Sequence, residues 1–194
     1  MDINEKYYEQ NADKFIVDTI NCNMNDLYHL FEKELTNPKT ILDLGFGSGR
    51  DSKYFHSKGY DVYAIDPSKA FCEHALKIGI PNVYNIEAQA MNFENKFDGI
   101  WACASLLHIP STQLNSVFKK CYQALKPNGI MYVSFKYGSF EGIRNGRFFL
   151  DLNEKSLKKY LSDTNFKIIL LCVTDDVRDD KTTKWLNAIL KKYN

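Results

Sequence analysis

Apolar residues recur near helical spacing over residues 4–20 and 24–36, after which the pattern changes to short unbroken apolar runs alternating with amphipathic stretches. Two helices are therefore expected first. Asn23 or Asn25 is available to cap the second, and Asn37-Pro38 stops it. From there the rhythm is strand then helix. Strands are expected at 40–44, 61–65, 82–86, 97–102 and 130–135, with helices running to about residue 58 and over 68–78 and 111–125. In the tail, 153–162 reads as helix and 166–174 as a long strand, while Trp185, Leu186, Ala188, Ile189 and Leu190 suit either a helix or a strand. Alternating β and α units with buried apolar strands mean an α/β fold of doubly wound, Rossmann-like type. Its parallel sheet is covered on both faces, and ligands of such sheets sit beyond the carboxyl ends of the strands.

The first strand runs into Asp43-Leu44-Gly45-Phe46-Gly47-Ser48-Gly49-Arg50-Asp51. Three alternate glycines at a strand-to-helix corner let the backbone take positive φ and leave room for a ligand against the amides of the following helix. Glycine costs roughly 0.5–1 kcal/mol in ordered structure, so three together point to more than a packing turn. A dinucleotide fingerprint, G-x-G-x-x-G, would need glycine where Arg50 stands, and it has no place for Asp43 two residues before the first glycine. Both departures count against NAD and FAD. Gly45, Gly47 and Gly49 make a cradle of exposed backbone N–H groups with the acid Asp43 beside it. Asp66, 21 residues beyond Gly45, ends the second strand, where a carboxylate can accept both hydroxyls of a ribose. Asp66-Pro67-Ser68 also has the form of a helix start, and the two readings are compatible.

Composition narrows the classes. A chain of 194 residues fits one domain with a sizeable core, 1–194 throughout. A net charge of +1 provides no general field for nucleic acid or an acidic membrane, and basic pairs such as Lys119-Lys120 and Lys158-Lys159 read as solvated faces. The N-terminus lacks an apolar signal segment, no stretch approaches the length of a membrane span, and a cytoplasmic protein is expected. Five widely spaced cysteines, none in a Cys-x-x-Cys pair, indicate neither a disulfide framework nor a metal site. Cys103 follows alanine without a cation or helix start nearby in sequence and reads as packing rather than nucleophile. His108, before Ile109-Pro110, is a candidate general base or a loop-capping residue.

Asp-x-Gly-x-Gly-x-Gly at 43–49, followed by Asp66, resembles motif I and the ribose acid of class I S-adenosylmethionine (SAM) dependent methyltransferases. The wider chain is similar to their small bacterial tellurite-resistance and ubiquinone-biosynthesis-like groups. That resemblance implies a seven-stranded, mostly parallel sheet whose final strand, 184–193, is antiparallel. It implies SAM as cofactor and a small-molecule methyl acceptor, in a monomer or homodimer. RNA, DNA or protein methylation, and a SAM-binding module without turnover, are the competing readings.

By the same resemblance the third strand leads adenine contacts to Glu87, Ala88 or Gln89, and Arg50 and Pro67 flank the cofactor. Cys103 through Leu106 to His108 would lie beneath it, beside the methyl. The Pro-Pro-aromatic and Pro-Cys signatures of DNA methyltransferases are missing there. Residues 1–36, with Tyr7, Tyr8, Ala12 and Phe15, resemble a lid that closes over SAM. Beyond the fifth strand, Lys136, Arg144 and Arg147 are cations available to an acidic acceptor, or solvated loop charges. The expected catalytic set is His108, Tyr8 and Lys136. Phe46 occupies a position where cysteine is common, and its side chain is expected to project away from the cradle.

Overall fold

The computed structural model describes residues 2–36, 39–178 and 182–193. Two helices, α1 (Ile3–Thr19) and α2 (Asn25–Glu34), precede the sheet. There follow β1 (Thr40–Leu44), α3 (Arg50–Ser57), β2 (Asp61–Ile65), α4 (Lys69–Lys77), β3 (Asn82–Tyr84), β4 (Phe97–Ala102), α5 (Ser111–Ala124) and β5 (Leu125–Lys136). A hairpin of β6 (Glu141–Arg144) and β7 (Arg147–Leu150) comes next, then α6 (Glu154–Leu161), β8 (Phe166–Asp175) and β9 (Lys184–Lys192).

Seven strands form one sheet in the order β3-β2-β1-β4-β5-β9-β8, while β6 and β7 stand apart as a two-stranded ribbon. The first five are parallel, and β9 inserts antiparallel between β5 and β8. The terminal segment is thus a strand, as the resemblance implied. Its apolar residues are buried over Leu186–Leu190 because β9 has a neighbour on each side. The chain turns outward from β1 in both directions, to β2 and to β4, which opens a crevice at the carboxyl ends of those strands.

Both faces of the sheet are covered. On one, Leu114, Val117, Phe118 and Cys121 of α5 and Leu157 of α6 pack on β4, β5 and β9. On the other, Tyr28 and Phe31 of α2 and Phe55 of α3 enclose Trp101 and Tyr132, which stack with centroids 4.0 Å apart. Asp2 caps α1 by accepting the N–H groups of Asn4 and Glu5, and Asn11 interrupts that helix with a non-helical backbone. At α2 the cap position is Met24, with Asn23 accepting the Asn25 N–H from outside. The expected stop at Asn37-Pro38 lies outside the described residues. Three regions differ from expectation, one being β5, which opens at Leu125 rather than at 130. β3 closes at Tyr84 rather than 86, and residues 141–150, read as loop, form the β6–β7 hairpin around Asn145-Gly146, both at positive φ. Two consecutive positive-φ residues make the turn whose twist matches a hairpin.

Candidate active site

A cavity of about 260 Å³ lies over the carboxyl ends of β1, β2, β4 and β5 and beneath α1. Its floor is the glycine turn. Gly45, Gly47 and Gly49 have φ of 73°, 53° and 77°, a region costly for any residue with a Cβ. A Cβ on Gly45 would sit 2.4 Å from that of Ser105, and one on Gly47 3.1 Å from the Phe15 ring, so both positions are closed to larger residues.

The amides of this turn are shared out differently from the expectation of a row of bare donors. Gly45 N–H donates to the Ile65 carbonyl, Gly49 N–H to the Phe46 carbonyl and Gly47 N–H to Asp66 Oδ2. All three glycine donors are therefore committed within the chain. Phe46 N–H and Ser48 N–H make no bond to another described residue, and they are the donors the turn leaves for a ligand.

Asp43 does not reach the cavity. It is buried behind the turn, where Ser52 Oγ of α3 donates to its Oδ2 at 2.6 Å. Burial and the neighbouring Asp51 push its carboxyl well above the usual range. Asp43 ties β1 to α3 and so shapes the turn from behind, because the corner folds the strand end under the first helical turn. Gly49 likewise serves the turn rather than the cavity wall.

Asp66 is buried at the cavity rim, its Oδ1 accepting Ser68 N–H at 2.9 Å and its Oδ2 accepting Gly47 N–H at 3.1 Å. Burial raises its carboxyl to about 6, against the lowering effect of those two N–H bonds. Ser68 caps α4 through its own hydroxyl, so helix start and cavity-facing acid coexist. Pro67, Glu87, Ala88 and Gln89 line the adjoining wall, with the Gln89 amide donating to Gln113.

Arg50 and Asp51 form a bidentate pair at 2.6 and 2.8 Å. Asp51 also accepts from the Tyr28 hydroxyl at 2.5 Å and the Trp101 indole at 2.9 Å. Burial would raise Asp51, but Arg50 and these donors hold it below the usual carboxylate range. The charge of Arg50 is thereby spent inside the protein, although the residue borders the cavity. Its guanidinium also lies 3.7 Å from Cys103 Sγ, a cation that sequence neighbours did not disclose. Even so, burial and Asp51 push the thiol up to about 12, which keeps it protonated and supports a packing role.

Where α1 meets the hairpin, Tyr8, His108 and Lys136 all line the cavity, as does Leu106 in the short turn before His108. His108 Nδ1 lies 2.7 Å from the Phe148 carbonyl, which can only accept, so Nδ1 carries the proton and Nε2 accepts from the Tyr8 hydroxyl at 2.8 Å. Burial lowers His108 to about 4, leaving it neutral. Both nitrogens are occupied by bonds that hold α1 and the hairpin together. Asn4 reinforces the same seam by accepting Phe148 N–H and donating to the His108 carbonyl. Phe46 packs with Ala12, Phe71 and Cys72 between α1 and α4, although part of it borders the cavity.

Ser105 lies in the segment expected beneath the cofactor, whereas other cavity residues went unnoticed in the sequence. Ser105 presses against Gly45, and its Oγ is buried without a hydrogen-bond partner. Asp176, Trp185 and Asn187, from the β8–β9 end, complete the wall. No periodic signal marks these positions. Only the insertion of β9 beside β5 brings them to the crevice.

Residues 41–129 match the family described as "Methyltransferase domain". The ubiquinone biosynthesis O-methyltransferase of Photorhabdus laumondii is 33% identical over 103 residues, covering 50% of this chain and 42% of its own. The alpha N-terminal protein methyltransferase 1 of Dictyostelium discoideum is 28% identical over 141 residues, covering 66% and 50%. The chain thus spans half or less of the length of these curated relatives. Among solved structures, the Burkholderia thailandensis 1,6-didemethyltoxoflavin-N1-methyltransferase, crystallised with its substrate and S-adenosylhomocysteine, superposes with a TM-score of 0.79. Its identity is 20%, with 97% of this chain and 85% of that one covered. The glycine turn and the sheet order agree with these similarities: residues 41–129 match a methyltransferase domain, and the chain shares its fold with a solved methyltransferase.

Proposed function

We propose that the chain binds SAM in the cavity under α1 and transfers its methyl group to a small-molecule acceptor. The observation that carries this is the glycine turn, floored by Gly45 and Gly47 and faced across the rim by buried Asp66. The residues present fit the cofactor. The free Phe46 and Ser48 amides suit the methionine carboxylate, Asp66 suits the ribose hydroxyls, and the wall at Glu87–Gln89 suits the adenine. The orphan Ser105 hydroxyl beside Gly45 suits the methionine end. Bound SAM supplies a methyl group already activated on a sulfonium.

What remains for the chain is to hold an acceptor in line, and positioning of this kind is worth roughly 7–11 kcal/mol in the best cases. Tyr8 is fixed for that task by Arg147 and His108, which leave its oxygen at the cavity wall. Neutral, doubly bonded His108 acts as the positioning residue of this pair rather than as a base. A small acceptor is favoured because α1 lies across the cavity, with Phe15 over Gly47. Five cysteines, all unpaired, fit work in the cytosol.

The test is calorimetry with S-adenosylhomocysteine, followed by assays for its formation from SAM with thiol, amine, phenol and carboxylate acceptors. Binding with turnover supports the proposal. Binding without turnover on that panel but with peptide or RNA substrates moves the acceptor to a macromolecule, and absence of binding removes the function.

A further inference from the structure

Resting on the methyltransferase reading, the geometry points to an acceptor that carries an oxyanion, a carboxylate or a phosphate, seated between Arg147 at the start of β7 and Lys136 at the end of β5. Both side chains border the cavity, on the side where the hairpin meets α1. Among the described residues, neither is in an ion pair. Two carboxylates on this side of the cavity are already matched, Asp151 by two bonds from Arg144 at 2.8 and 2.9 Å and Asp176 by Arg178 at 2.6 Å.

Arg147 is held for such a task. Its guanidinium is packed against the rings of Tyr7 at 4.6 Å and Phe149 at 5.0 Å, which fixes its plane without using its donors. Only Nη1 is engaged, donating to the Tyr8 hydroxyl at 3.2 Å. Nε is buried and has no hydrogen-bond partner among the described residues. An orphaned buried guanidinium donor is costly unless an acceptor arrives, and the Nε–Nη2 edge is one of the two that grip an oxyanion in bidentate fashion.

Lys136 Nζ makes no hydrogen bond among the described residues and rests 5.2 Å from the Phe149 ring. The positive charges of Arg144, Arg178 and Arg147, together with its burial, disfavour its own charge, a penalty an incoming anion would relieve. Phe149 lies against both cations and serves as the apolar base on which an acceptor's body can rest.

The experiment uses the full chain saturated with S-adenosylhomocysteine and titrates it calorimetrically with sodium phosphate and, separately, sodium acetate, against sodium chloride at equal ionic strength. Saturable binding of phosphate or acetate is expected, and the stronger of the two assigns the oxyanion. Lys136→Gln and Arg147→Gln are each expected to weaken it at least tenfold, with Arg147→Lys, which keeps charge but not the bidentate edge, intermediate. Circular dichroism melts confirm that each variant is folded. Should Arg147→Gln fail to fold, Lys136→Gln, on a half-exposed side chain, decides the matter.

Neither anion binding above chloride, or equal binding by folded variants, overturns the inference. If S-adenosylhomocysteine itself does not bind, the function fails instead. The anions are then titrated into the protein alone, where the same two outcomes apply.

Discussion

On the proposed function, Asp66 is the residue at which cofactor binding is expected to become sensitive to pH. Its carboxyl is raised to about 6, because burial penalises the charge more than two N–H bonds reward it. Ribose hydroxyls donating to it favour the ionised form, so binding strengthens as pH rises through that value. If the ionised form alone binds, affinity is reduced about elevenfold at pH 5 and only slightly at pH 7.5, a difference of about 1.4 kcal/mol. His108 stays neutral throughout that range because it is lowered to about 4. Calorimetric titration of S-adenosylhomocysteine at pH 5, 6, 7 and 8 measures the slope.

Asp66→Asn keeps one carbonyl acceptor for the Gly47 or Ser68 N–H but has no charge. It should weaken binding at pH 7.5 by about 1–3 kcal/mol, the range for hydrogen bonds to a charged group, and flatten the profile. Wild-type affinity independent of pH, or an unchanged slope in Asp66→Asn, would falsify the assignment of the ribose acid.

Gly47→Val forces a branched side chain into positive φ at 53° and towards Phe15. We expect loss of at least a hundredfold in S-adenosylhomocysteine affinity by calorimetry, with a lowered melting temperature from a strain of about 1–2 kcal/mol. The folded His108 is depressed from 6.5 to about 4, so the stability due to its neutral form is present above pH 6.5 and lost as pH falls towards 4. Asp66, raised instead, acts in the opposite sense over pH 4 to 6, so the comparison must be differential. The advantage of wild type over His108→Asn in urea unfolding should shrink by about 3 kcal/mol from pH 6.5 to 4, and a constant advantage would contradict the buried neutral imidazole. Tyr28→Phe removes one of the donors to Asp51 and should lower unfolding free energy by about 1–3 kcal/mol, which an unchanged urea midpoint would disprove.

The strand and helix rhythm from β1 to β5 was legible because most elements there are bounded by Gly, Pro, Asn or Asp and obey a single period. The hairpin was missed although Asn145-Gly146 is among the strongest short-range turn signals, because the flanking residues do not alternate cleanly. Strand β9 was ambiguous by pattern alone, since a strand buried on both faces shows no period of two. The glycine corner and Asp66 were readable because their residue types are restricted by backbone conformation and charge. That Asp66 would occupy the Gly47 amide, that Asp43 would turn inward to Ser52, and that Arg50 would reach Cys103 are contacts between separate segments. No local pattern encodes them.

The position of β9 has a consequence for how the sheet is assembled. β8 has no partner in the sheet except β9, and β5 meets β8 only through it, so β8 must wait with an unpaired edge while residues beyond it are being synthesised. Chain emerging from a ribosome with β8 exposed and β9 still in the exit tunnel is the stage at which this protein is most open to chaperones and to mispairing with another copy.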